Sequence, residues 1–575
     1  MRLISHIAIL LLFGVFAPVS FALHVELTSE VDDGLEENIH AHLSILTLPE
    51  RCVPFTDFSD QIAEKIHEAG RALGYYDMRI RALEPKSDTQ CNTWTLNIEQ
   101  GQRTRISRVD IHIEGEGSQD PVLQRTLNQI PLKQGDALRH YIYESSKKAL
   151  LNTALERGYM DFAFTEKRLE IDPDSHTAQI KLHANTGESY RFGKLVYDGQ
   201  DVPEDMLMSI LPFREGEQFT TPKLNTFNER LRQTGYFEHV VARPVRAKAQ
   251  ARHIPIEVVG SVKPRDIFSV GGGVSSDTGP RVKLSWERPW ITDSGHSLSA
   301  SLFVSRPSQS VSLNYKIPLS DPIDDYISVK TGLKQDNFND TDSTIYTVSL
   351  QHHERFLDTS WKWVKFIRFD RESFIQAEEP EETTELLIPG VTFQRLRTRG
   401  GLFVTWGDKQ LLTVEGANDD LLSEVDYASV HLQSKWIRSI HDHRFHFNVE
   451  LGALSSSDFE QIPSSLRFFA GGDQSVRGFG YKELSPLDDE GDLTGGRFLY
   501  VGSIEYDFPV KDNWRVATFA DVGNASNTAF ESLASGVGVG AIWQSPVGPV
   551  RLYLARGNSQ HETTWRIHFS MGPAL

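Results

Sequence analysis

From Asp266 onward the apolar residues of this chain fall on alternate positions. Val311, Leu313, Tyr315 and Ile317 alternate with Ser310, Ser312, Asn314 and Lys316, and Leu298, Ala300, Leu302 and Val304 alternate with Ser297, Ser299 and Ser301. Near the end Trp565, Ile567, Phe569 and Met571 alternate with Arg566, His568 and Ser570. Period two marks strands with one greasy and one wet face. Before Lys263-Pro264 the pattern is different, and it repeats. Gly74-Tyr75, Gly158-Tyr159 and Gly235-Tyr236 stand 84 and 77 residues apart. Ile66, Leu150 and Phe227 lie eight residues before these glycines, and Gly70, Ala154 and Leu231 four before, which is the stripe of a helix. Each glycine suits the left-handed position that closes such a helix. Alternating segments follow: Trp94, Leu96 and Ile98; Ala178, Ile180 and Leu182; Ile254, Ile256 and Val258. The seams align too, since GQRTRISRV from Gly101 lies over GESYRFGKL from Gly187. Three units of about 80 residues, each ordered strand, helix, helix, strand, strand, are predicted.

Alternation alone does not separate a soluble sandwich, greasy inside, from a membrane barrel, greasy outside. Three features favour the barrel. Trp286, Trp290, Trp361, Trp363, Phe498 and Tyr500 sit at strand ends as an interfacial girdle requires, and connections alternate between short turns and long polar loops. Thirdly, Arg2, the apolar run from Ile7 to Phe16 and Ser20-Phe21-Ala22 read as a secretory signal peptide over residues 1–22. No later stretch approaches the ~20 apolar residues of a membrane helix. In lipid the strands must close on themselves, and the segments fit 12 to 16 of them.

The formal charge of -19 argues against a nucleic-acid partner, which clustered Lys and Arg would attract. Cys52 and Cys91 are expected to form one disulfide in an oxidising compartment. His441, Asp442, His443 and His446 could suggest a metal site but fall at a hairpin between Trp436 and Phe447, and the glutamates around Pro380 read as a solvated loop. The G-x-S-x-G, H-E-x-x-H and G-x-G-x-x-G patterns are missing, so no enzyme, cofactor or metal is expected.

The last third carries three ordered motifs. Arg467-Phe468-Phe469-Ala470-Gly471-Gly472 leads to Val476-Arg477-Gly478-Phe479; then come Phe519-Ala520-Asp521-Val522-Gly523 and Gly536-Val537-Gly538-Val539-Gly540. The first resembles the inward-folded loop signature of the BamA and TamA superfamily, the second its F-x-D-x-G strand. The repeats resemble POTRA domains, the periplasmic modules of the same proteins. The resemblance implies an α+β series followed by an all-β transmembrane antiparallel barrel of 16 strands. The expected boundaries are POTRA 1 over 23–104, POTRA 2 over 105–190, POTRA 3 over 191–263 and the barrel over 264–575. It also implies that Arg477 pairs with Asp521 in the lumen, where Phe519, Asp521 and Gly523 share a face. Three repeats and the chain length are most similar to the TamA branch. That branch implies outer-membrane localisation, unfolded outer-membrane or autotransporter clients, contact with membrane lipids, and a TamB-like partner anchored in the inner membrane. The rivals are a BamA-like general insertase, a two-partner secretion pore, a passive porin and a lipid transporter. A gate is expected where first and last strands meet, because Gly271, Gly272 and Gly273 weaken the first, while Gly572 ends the last after Trp565 and Phe569.

Overall fold

The computed structural model describes residues 23–48, 56–87, 92–199, 202–357, 359–546, 548–560 and 562–572. The expected signal peptide, Cys52 and Cys91 lie outside the described residues. Contacts divide the chain into two compact units, with the division running through the third repeat: Met1–Leu195, Phe213–Asn225 and Pro244–Ile256 form one, and Val196–Pro212, Thr226–Arg243 and Glu257–Leu575 the other.

Each repeat follows the predicted order. The first runs His24–Leu27, helices Asp33–Leu43 and Thr56–Ala72, then strands Arg79–Pro85 and Thr93–Glu99. The second runs Arg105–Glu114, helices Pro121–Asn128 and His140–Glu156, then Ala163–Asp172 and Thr177–Asn185. The third runs Arg191–Tyr197, helices Glu204–Met208 and Thr221–Gln233, then Phe237–Pro244 and His253–Val262. In every sheet the last strand in sequence is the central one, so the first two are edges. Ile66, Leu150 and Phe227 of the helices are buried, as are Trp94, Leu96, Ala178, Ile180, Ile254 and Ile256 of the sheets.

The glycines do more than end helices. Gly74 and Gly158 have φ of 92° and 86°, and Tyr75 N–H and Tyr159 N–H close back onto the Gly70 and Ala154 carbonyls. The carbonyls of Gly74 and Gly158 then accept from Thr104 N–H and Tyr190 N–H, both at 2.9 Å. Arg105 and Arg191, next in each seam, donate to the Gly135 and Gly216 carbonyls at 2.9 and 2.8 Å. The seam residues aligned from the sequence thus donate the same hydrogen bonds at both junctions.

In the second unit a closed barrel follows, with 16 strands each antiparallel to its sequence neighbour and the first, Ile267–Ser275, joined to the last, Thr563–Met571. Its alternation resolves the ambiguity left open by the sequence. Val311, Leu350, Ile504 and Val539 are 49–57% exposed on the outer wall, whereas Glu372, Asp507 and Asp521 are buried inside. That is the inverse of a soluble sandwich. No helix among the described residues is long and apolar enough to cross a membrane. Two expectations need correction. Trp290 is not part of a girdle: it is buried edge-to-face against Tyr236 of the third repeat, 5.5 Å between centroids. The connections do not alternate cleanly either, since the turns at 276–278, 305–307 and 339–340 are short although they lie at the same end as 457–497. Strand ends cannot be told from turns by polarity when both carry serine and asparagine.

A methyl group at Gly158 would meet the Phe219 carbonyl at 2.5 Å, whereas Gly235, φ 75°, has nothing within 4 Å. Gly235→Ala should therefore cost only the ~1 kcal/mol of a left-handed alanine, and Gly158→Ala should cost more and loosen the junction. Hydrogen–deuterium exchange of residues 186–220 checks this; equal protection in the two variants contradicts it.

Candidate functional site

The lumen is filled by the connection between the eleventh barrel strand, His443–Ser456, and the twelfth, Phe498–Lys511. Its apolar side chains Ile462, Phe468, Val476 and Phe479 are buried with Leu386, Ile388 and Val501 of the wall. At its deepest point stands Arg477, 6% exposed. Its Nε and Nη2 donate to the two carboxylate oxygens of Asp521 at 2.7 and 2.8 Å, and its backbone N–H adds a third bond at 3.0 Å. Nη1 pairs with Glu505, and the guanidinium lies 3.5 Å over the Phe519 ring. Ser503 Oγ donates to Asp521 at 2.6 Å and Tyr553 Oη to Glu505 at 2.9 Å, so both carboxylates are held from behind. A bidentate pair of this kind, out of water, fixes geometry as well as charge.

Glycines make room for it. Gly478, φ 102°, sits so close to the Gly557 backbone that a side chain there would strike it at 2.5 Å. A methyl on Gly536 would overlap the Arg477 carbonyl. On the last strand, His568 Nε2 accepts from Gly478 N–H at 2.9 Å and Thr564 Oγ1 donates to the Gly478 carbonyl at 2.7 Å. Asp473 N–H donates to Asp277, in the turn after the first strand, at 2.5 Å. The loop therefore holds one lip of the seam at Asp277 and the other at Thr564 and His568.

Among the described residues the first and last strands share one register pair, Ser275 with Ser570, whereas the first and second strands pair along nine residues from Ile267 to Ser275. Ser276 N–H reaches the Phe569 carbonyl at 2.8 Å just beyond. Gly271 and Gly272 pair with Lys283 and Val282 of the second strand, and Trp565 on the last strand faces outward, 66% exposed.

Of the residues singled out from the sequence, the structure brings Val476, Arg477, Gly478 and Phe479 onto the wall carrying Phe519 and Asp521. Gly523 lies apart, with Val501 against it. Glu505, Ser503, Tyr553, Thr564 and His568 were missed. Ser503, Glu505 and Asp507 alternate with Ile504, Tyr506 and Phe508, so the signal was present, but register was needed to aim it. The histidine group is split: His443 stacks on Tyr506 outside, while His446 inside bonds Asp507 at 2.7 Å. Glu505 and Asp507 lie near His446, but Asp507 is already taken by Arg444 and Arg515.

Comparison with known proteins agrees with this geometry. Residues 266–574 match the family model described as the Omp85 superfamily domain. Residues 24–100 match the one described as POTRA domain TamA domain 1, and 190–262 a POTRA model described as surface antigen variable number repeat. The outer membrane protein assembly factor BamA of Nitratidesulfovibrio vulgaris is 22% identical over 94% of this chain and 72% of its own length. BamA of Neorickettsia risticii is 21% identical over 84% and 67%. The crystal structure of BamA from Haemophilus ducreyi lacking POTRA domains 1–3 shares the fold, with a TM-score of 0.65 at 18% identity, covering 82% of this chain and 99% of that one.

Arg477→Ala would leave Asp521 and Glu505 buried without their cation, a loss of about 3–5 kcal/mol from the docked state. The loop from 457 to 497 should then become cleavable by added protease while the barrel stays folded, and Arg477→Lys, which cannot bond two oxygens in a plane, should fall between. An uncleaved loop in Arg477→Ala contradicts the docking.

Proposed function

We propose, from the premise that this chain belongs to the Omp85 superfamily, that it takes up unfolded clients through three POTRA domains and inserts or exports them through a barrel that opens sideways. It is an outer-membrane protein with its POTRA domains in the periplasm. Its work is the assembly or secretion of other proteins rather than the turnover of a substrate. We assign POTRA 1 to 23–104, POTRA 2 to 105–190, POTRA 3 to 191–263 and the barrel to 264–575.

Within that class we favour a TamA-like role: assembly of autotransporters and other outer-membrane proteins with a TamB-like, inner-membrane-anchored partner. The observation that carries it is the repeat architecture, three POTRA units of which the first matches the TamA domain 1 model. The alternative, a BamA-like general insertase, is supported by the names of the relatives; those relatives extend beyond the segment this chain covers.

The mechanism follows from unpaired backbone. Each POTRA sheet offers edge strands that accept an extended client chain with little regard to sequence. At the seam, where the described residues share one register pair, the edges of the first and last strands that opening exposes can be completed by client strands. Gly271, Gly272 and Gly273 lower the strand preference there, and Gly572, φ 147°, ends the last strand. Trp565 and Phe569 face the opening from that strand. Client folding and burial in lipid supply the driving force.

Two experiments test this. Depletion of the protein in its own cells should reduce surface autotransporters several-fold while most outer-membrane proteins stay at normal level, and cross-linking should join the POTRA domains to an inner-membrane-anchored protein. A general fall of all barrels would favour the insertase instead. For the gate, cysteines at the paired positions Ser275 and Ser570 should form a disulfide. Client insertion into proteoliposomes should stop on oxidation and return on reduction; full activity of the oxidised form refutes lateral opening.

A further inference from the structure

At the ends of the eighth to tenth strands the outer wall departs from its apolar pattern. Register fixes the faces: Ile437 pairs with His446, Lys435 with Asn448 and Gln433 with Glu450, so the odd positions of the tenth strand, Tyr427–Ile440, face the lumen. Trp436 and Arg438 therefore face out with Val430, which is 45% exposed. The pairs Asp408 with Trp436 and Arg397 with Asp408 carry the assignment to the ninth strand, Trp406–Ala417, and the eighth, Glu382–Arg399. Arg395, Arg397, Arg399, Trp406, Asp408, Trp436 and Arg438 thus share the lipid side. The first strand leaves the end at which the chain enters from the third repeat, and the eighth runs back towards it. The cluster consequently lies at the periplasmic margin of the barrel.

Its charges do not balance. Asp408, 0% exposed, accepts from Arg395 Nε at 2.9 Å and from Arg397 Nη2 and Nε at 2.6 and 3.1 Å, and Arg438 Nη2 lies 3.7 Å away. Among the described residues no carboxylate pairs with Arg399. Three guanidiniums thus surround one carboxylate and a fourth, Arg399, stands on the same tryptophan, four positive charges to one negative. Aromatic rings hold them in place. Arg397, Arg399 and Arg438 lie over Trp406 at 5.2, 4.8 and 4.7 Å, Arg438 also over Trp436 at 4.7 Å, and Arg395 over Trp361 at 4.5 Å. Tryptophan belongs at the headgroup level of a bilayer, and stacked guanidiniums keep in-plane donors free for an anion.

We propose that this cluster is a headgroup site for an anionic phospholipid of the periplasmic leaflet, its phosphate taking the donors that Asp408 leaves unused. A solvated surface would disperse such charge; here the strands line it up against lipid, where the headgroup is the nearest anion and each basic side chain adds attraction. The lipid would anchor the eighth to tenth strands, half a turn of the barrel away from the seam, so that the wall stays fixed while the seam moves.

The full chain, purified in uncharged detergent, is titrated with phosphatidylglycerol or phosphatidylcholine, and bound lipid is counted by native mass spectrometry. The expected preference for phosphatidylglycerol is about tenfold or more. In Arg397→Gln/Arg399→Gln, where Arg395 and Arg438 still serve Asp408, it should fall to about twofold. Arg399→Gln alone removes no ion pair, keeps the fold, and should lose about threefold. Equal affinity for the two lipids, or an undiminished preference in both variants, overturns the proposal. So does complete displacement of the lipid by millimolar inorganic phosphate, which would mark a site for a free anion.

Discussion

Hydrocarbon offers no hydrogen bonds, and almost everything in the second unit follows from that. Every backbone amide at membrane depth must find its partner within the sheet, so 16 strands close on themselves and turn their greasy faces outward. The wet faces are then forced inward, where they cannot all be reached by water once a loop enters. Opposite charges are accordingly matched inside: Arg477 to Asp521 and Glu505, Arg444 and Arg515 to Asp507, and Arg368 to Asp370 and Glu415, while Glu372 is held by serine hydroxyls. The charge network is a consequence of closure, and the loop is the piece of chain that closure traps.

The same rule makes the seam costly and therefore informative. A barrel gains by pairing its first and last strands fully, yet among the described residues these two share one register pair while their neighbours share seven or more. The deficit is partly met by side chains and loop rather than by backbone. Asp277 on one lip and His568 and Thr564 on the other are all bonded to the loop that carries Arg477. A change in how that loop sits is thus felt on both edges, while Arg477 itself is fixed to the twelfth and thirteenth strands. Loop position and the two edges of the seam are thus linked through hydrogen-bonded groups.

How much of this could be read from sequence depended on whether a local signal had a local cause. The repeats were legible because glycine, helix stripe and seam are short-range features; the junction bonds of Gly74 and Thr104 recur at Gly158 and Tyr190 in the register the alignment gave. The pairing of Arg477 with Asp521 came from motif resemblance and not from physics, since 44 residues separate them. Glu505 and His568 escaped because only strand register decides which lumenal groups face the loop. Trp290 was misplaced for the same reason: a tryptophan at a strand end is apolar whether it meets lipid or Tyr236 of the third repeat.

Register also separates two clusters that composition would treat alike. Arg444, Arg515 and Asp507 lie within the lumen, and Arg395, Arg397, Arg438 and Asp408 lie outside it; both set arginines around a fully buried aspartate. Inside, His446 and backbone carbonyls complete the shell, with Arg515 donating to the Asp442 and Asp507 carbonyls and Arg444 to that of Val404. Outside, Arg438 likewise donates to the Gly407 and Ile437 carbonyls, but Arg399 brings a further charge that rests on a tryptophan face with no carboxylate beside it among the described residues. Aromatic faces can stabilise a cation but cannot neutralise it. The inner knot is therefore closed, whereas the outer one still requires an anion from its surroundings, and on that wall the surroundings are the membrane.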